Sequence, residues 1–234
     1  MTTNISSDVL QALPTAWELA ALSLIYPTDD LAQALLSGEW AEAALEIAGQ
    51  LGLNLPEDFG TFEDDASDTY ATADELRHAL SVEATKLFIG TVNPEVTPYE
   101  GIWYANEKDI QALLYVNPKA MAVERFMKAC GLGRPEGTNE PLDHVATECE
   151  LLEYLALRAY TPEALGDEEA LAEELLPGGS AAAAYQEFFN EHVVAWVPAF
   201  CEAVKEKARI AFFRDAADYL AALVAWNRDY LGEQ

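Results

Sequence analysis

Asp143 and His144 stand side by side, with Glu140 and Glu148 each four positions from the histidine. A carboxylate beside an imidazole supports three kinds of chemistry. It can hold a metal, pass a proton as an acid/base pair, or cap a helix with a side chain that titrates near neutrality. Pro141 suits a first helical turn, where its missing N–H costs nothing, and Asn139 or Glu140 can accept from the orphan donors there. A helix is therefore expected to open at Asn139–Pro141. Leu142, Val145, Cys149, Leu152 and Ala156 would form its buried stripe, with Glu140, His144 and Glu148 on another face. Asp143 and His144 lie off that stripe, so their replacement is expected to leave the fold intact. On residue chemistry alone, the capped helix is the most economical of the three readings.

The other reactive residues form no constellation. His78, His144 and His192 are the only histidines, and their spacing to Cys and Glu defines no metal site. Cys130, Cys149 and Cys201 have neither redox nor metal-ligand spacing, and an odd number argues against a disulfide framework, which fits a reducing compartment. The glycines at 131, 133 and 137 superficially suggest a phosphate loop, but they follow a helix pattern rather than a strand and lack the downstream lysine. No serine elbow or dinucleotide turn is present, so catalysis has no identifiable machinery and no bound cofactor is expected.

Charge narrows the partners. Thirteen basic residues against 41 acidic ones give a formal net charge of −28, which repels nucleic acid backbones and anionic membranes. No Lys or Arg precedes Arg77, and another base-free stretch separates Arg158 from Lys205. That surface serves solubility or attracts a basic partner. No stretch has the uninterrupted apolar length to span a bilayer and the N-terminus lacks a cleavable leader pattern, so a cytoplasmic protein is expected.

The elements that must position these groups are helical. The 234 residues, 51% of them apolar, suffice for one all-α globular domain of roughly nine to eleven helices spanning 1–234. Helical spacing runs from Leu13 to Ile25, from Leu31 to Ser37 and from Glu39 to Leu51, the last two stopped by Gly38 and Gly52. An acidic loop is expected from Pro56 to Tyr70, then an amphipathic helix from Asp74 to Phe88. The segment from Gly90 to Asn106 is too rich in Pro and Gly for a helix, yet it carries Tyr99, Ile102, Trp103 and Tyr104. It is expected to pack as an ordered crossover, with aromatics available to line a groove. Helices should follow at Glu107–Val116 and Pro118–Cys130. After the helix at 140, a mobile acidic connector is expected at 161–179, with room for a short helix near 168–176. Ser180 caps the next helix, and Pro198 marks a kink or restart before a long final helix.

The pattern Glu140-Pro141-x-Asp143-His144 with Glu148 resembles the signature of the TorD/DmsD-type chaperones that mature molybdenum-containing redox enzymes. Three further segments carry the same resemblance: Leu76-Arg77 with Glu83, Leu87-Phe88 and Gly90; Thr97-Pro98-Tyr99-Glu100 with Trp103; and His192, Trp196 and Pro198. The resemblance implies an all-helical cytoplasmic chaperone, a monomer or homodimer and not an enzyme. Its partner would be the precursor of a dimethyl sulfoxide or trimethylamine N-oxide reductase-type molybdoenzyme with a twin-arginine leader, held back from export until the cofactor is loaded. Carried over by motif, Leu87, Phe88, Gly90, Pro98 and Trp103 would supply the apolar side of the signal-peptide groove. Glu140, Pro141, Asp143, His144 and Glu148 would supply its polar side. The alternatives are a metal-dependent enzyme centred on Glu140, Asp143, His144 and Glu148, or a lasting accessory subunit of a respiratory oxidoreductase.

Overall fold

The chain runs through α1 (Ser7–Leu10), α2 (Leu13–Leu24), α3 (Asp29–Ser37), α4 (Glu39–Leu51), α5 (Ala73–Ala84), α6 (Glu100–Glu107), α7 (Pro118–Ala129), α8 (Val145–Tyr160), α9 (Ala181–Phe188), α10 (Val194–Lys207) and α11 (Ala211–Gly232). This computed structural model describes residues 7–61, 70–90, 94–109, 117–133, 141–165 and 171–232, and no strand occurs among them. One buried cluster draws on nearly every helix, as an all-α domain requires.

At its centre α2 packs along α8, while α10 and α11 form the second principal helix pair. Trp17 of α2 is fully buried, and its ring N–H donates to the Tyr185 hydroxyl at 2.7 Å. Tyr185 in turn donates to Asn227, whose amide donates to the Leu223 carbonyl. Every polar atom that these large side chains bring into the core thus has a partner, which avoids the penalty of an orphaned donor or acceptor.

The helix limits expected near 13–25, 31–37 and 39–51 agree with α2, α3 and α4, and left-handed Gly38 ends α3. Thr28, Thr72, Asn117 and Ser180 each accept the backbone N–H of the third residue of the following helix, the side-chain cap that Ser, Thr and Asn supply best.

Four boundaries differ from expectation, for local reasons. Residues 100–107 are helical as α6, because the prolines lie upstream at Pro94 and Pro98 and leave the N–H groups of the following turns intact. No helix opens at Glu107: α6 ends there and Asp109 takes φ 52°, while 110–116 lie outside the described residues. The helix expected from Asn139–Pro141 begins only at Val145, because a bridge to Tyr99 holds His144 in extended backbone. The break expected at Pro198 falls earlier, at a π-turn over Phe189–Val193, and α10 runs through the proline.

A second π-turn, Thr85–Ile89, closes α5. Gly90 ends it at φ 64°, ψ 172°, a conformation open essentially to glycine alone, and the chain reverses so that Val96 N–H donates to the Leu87 carbonyl at 2.8 Å. In the stretch read as a connector, the described residues form short 3₁₀ turns at Pro162–Leu165, Glu173–Leu175 and Pro177–Gly179. Buried Arg158 reaches one of them, donating to the Leu171 carbonyl and pairing with Glu173. The loop expected at 56–70 is described only at its ends, and the short helix expected near 168–176 only from 171 onward.

Candidate functional site

The site is built on an antiparallel bridge between Tyr99 and His144. Val145 N–H donates to the Pro98 carbonyl at 2.9 Å and Glu100 N–H to the Asp143 carbonyl at 3.0 Å, so two short extended segments clasp each other at the N-termini of α6 and α8. Successive side chains in extended backbone point to opposite faces. Tyr99 and His144 accordingly line an open groove, while their neighbours Glu100 and Asp143 turn into the protein.

Asp143 is fully buried. Its carboxylate accepts the Gly101 N–H at 2.8 Å and a bond from the Asn117 side chain. Burial raises its pKa and these bonds oppose the rise. Gly101 is required at its position, since a Cβ there would lie 2.2 Å from the Asn117 carboxamide.

Beside it lie two further buried carboxylates, Glu100 and Glu148. Glu100 contacts Lys119 Nζ through one oxygen at 2.8 Å and His192 Nδ1 through the other at 2.7 Å. Glu148 is 1% exposed and accepts the Trp196 indole N–H at 3.1 Å. Burial, then the charges of Glu100 and Asp143, raises the Glu148 pKa well above the usual carboxylate range. Ligand atoms of Glu100, Glu148 and His192 lie within 4.8 Å of one another, close enough for a cation. Lys119 and His192 already occupy the two oxygens of Glu100. The arrangement therefore holds together as a structural network of buried polar groups.

The groove measures about 630 Å³. Ile25 and Tyr26 at the end of α2, Phe88 and Ile89 of the π-turn, Met127 of α7 and Leu151 of α8 supply much of its wall. Tyr26 and Ile89 are more than half exposed at its rim. His144 caps α8 by accepting the Ala146 N–H on Nδ1 at 3.1 Å, which leaves the proton of the neutral ring on Nε2. Burial holds the His144 pKa down to about 4, so the ring stays neutral at pH 7.

Of the residues singled out from sequence, Phe88, Pro98, Pro141 and His144 converge on this groove. Asp143 and Glu148 are buried and do not line it. Leu87 is fully buried in the core, Gly90 serves the chain reversal, and Trp103 lines a separate cavity of about 360 Å³ with Lys119 and Trp196. Glu140 lies outside the described residues. The set Asp143, His144 and Glu148 does not converge as a metal centre: His144 faces the groove, while Glu148 bonds to Trp196. Sequence reasoning missed Glu100, Lys119 and Asn117 as partners of the motif carboxylates. Their signal lay in motif neighbours, Glu100 following Tyr99 and Asn117 preceding Pro118, and pairing across the fold is not written in local spacing.

Comparison with known proteins places this geometry. Residues 36–202 match the family model described as nitrate reductase delta subunit. The chain is 26% identical over 170 residues to the chaperone protein TorD of Photobacterium profundum, covering 72% of each chain. It is 25% identical over 168 residues to the chaperone protein TorD of Vibrio vulnificus, covering 71% of each. The chain belongs to the nitrate reductase delta subunit family and stands within it beside the TorD-type maturation chaperones.

Proposed function

We propose that the protein is a cytoplasmic chaperone that holds the apo precursor of a molybdenum-containing oxidoreductase through its twin-arginine leader, in the groove beside His144. The observation that carries this reading is the convergence of Phe88, Pro98, Pro141 and His144, from three separate segments of the chain, on one open and mainly apolar surface. Such a groove suits an extended or helical peptide with an apolar run, and the net charge of −28 favours one that also carries basic residues. A reductase of the dimethyl sulfoxide or trimethylamine N-oxide type is the client class that the resemblance favours.

The test is capture of the tagged protein from its native cytosol at low salt, with mass spectrometry of what co-purifies. A precursor that retains its twin-arginine leader is the expected result. A mature, leaderless oxidoreductase held stably would instead support an accessory subunit, and failure of a synthetic leader to bind the purified chain would overturn the groove reading.

A further inference from the structure

The buried carboxylates of the motif cannot read a basic residue on a client. Asp143 already serves Gly101 and Asn117, Glu100 serves Lys119 and His192, and Glu148 is buried against Trp196. A cationic side chain would have to enter the core to reach them. Among the described residues the groove wall holds one carboxylate, Glu150, on the exposed side of α8 between Thr147 and Leu151. It has neither a hydrogen bond nor an ion pair among the described residues.

Glu150 also has like-charged company. Glu153, one turn further along α8, feels both Glu150 and Glu18 of the adjoining α2, and no Lys or Arg pairs with any of the three among the described residues. An acidic track therefore runs from the groove along the seam between α2 and α8. Uncompensated repulsion of this kind is relieved by a bound cation.

We propose that Glu150 is the cation-reading residue of the groove. It takes a guanidinium or ammonium of the client segment whose apolar run lies against Phe88, Met127 and Leu151, and Glu153 and Glu18 extend the reading along the seam. This inference rests on the peptide-binding reading above.

The test uses the full-length chain and two synthetic peptides, one with an apolar run beside an arginine pair and one with both arginines replaced by glutamine. Calorimetry at fixed low salt compares the wild type with Glu150→Gln and with Glu39→Gln, an exposed site on α4 outside the groove that removes the same charge. Glu150→Gln is expected to weaken the arginine peptide about fivefold and the glutamine peptide by less than about twofold. Glu39→Gln is expected to leave both affinities in place. Equal effects of Glu150→Gln on both peptides, or none on either, overturn the assignment while the groove reading stands. Failure of both peptides to bind the wild type overturns both.

Discussion

The indole N–H of Trp196 donates to Glu148 at 3.1 Å, and the second oxygen of that carboxyl is buried without a hydrogen-bond partner among the described residues. Because burial raises the Glu148 pKa above its unfolded value near 4.5, the folded state binds the proton more tightly than the unfolded chain does. Stability therefore falls as pH rises from that unfolded value toward the raised folded one. Glu148→Gln keeps an acceptor for Trp196 and removes the titration. Its melting temperature is expected to match the wild type near pH 4.5 and to exceed it at pH 8. Trp196→Phe strands the carboxyl and is expected to cost about 1–3 kcal/mol in a denaturant titration.

Asp143 and His144 are neighbours with separable roles. Asp143→Ala removes the acceptor of the Gly101 N–H and is expected to lower stability by about 1–3 kcal/mol. His144→Asn retains a capping acceptor while removing the ring from the groove, so stability at pH 7 is expected to stay within about 0.5 kcal/mol and peptide affinity to fall severalfold. The histidine titrates near 4 when folded and near 6.5 when unfolded. The unfolded chain binds more protons between those values, so wild-type stability relative to the variant falls as pH drops through that window. Paired melts at pH 7 and pH 4.5 check the sign.

Gly101→Ala forces a methyl group into the Asn117 carboxamide. Overpacking of this kind costs about 1–3 kcal/mol. Chemical denaturation of Gly101→Ala alone and combined with Asn117→Ala tests the cause, since the second truncation is expected to relieve part of the loss if the clash is responsible.

Glu153 titrates at about 7 because burial, Glu18 and Glu150 all disfavour its charge. An acid raised in this way lowers stability as pH rises from about 4.5 to 7. Glu153→Gln is expected to be indistinguishable from wild type near pH 4.5 and more stable at pH 8. A variant less stable than wild type at pH 8 would show that the charge is compensated there.

Helical periodicity made the scaffold legible. Leu142, Val145, Cys149, Leu152 and Ala156 all fall on the predicted stripe and all lie in the core. Punctuation by Gly38 and Gly52 placed two helix ends. The site was legible only in part, since the four groove residues belong to motifs while the burial of Asp143 and Glu148 depends on partners far along the chain. Polar residues beside Pro141 read as a solvated helix entrance because nothing local reveals that a bridge to Tyr99 holds His144 in extended backbone there. Likewise, the prolines at 94 and 98 obscured α6, whose first turn Asp143 anchors from outside the helix.

The clasp between Tyr99 and His144 also bears on the order of folding. Gly101 and Asp143 are 42 positions apart, so joining them closes a long loop for a handful of hydrogen bonds, whereas α10 and α11 meet across a short turn. Loop-closure entropy favours the α10–α11 pair before the clasp, although the Trp17–Tyr185 bond at the centre of the core closes a longer loop still, of 168 positions. A newly made chain would then hold its C-terminal helix pair before its groove is assembled. Amides of Glu100 and Val145 should accordingly exchange with solvent through a smaller opening than that of Leu223.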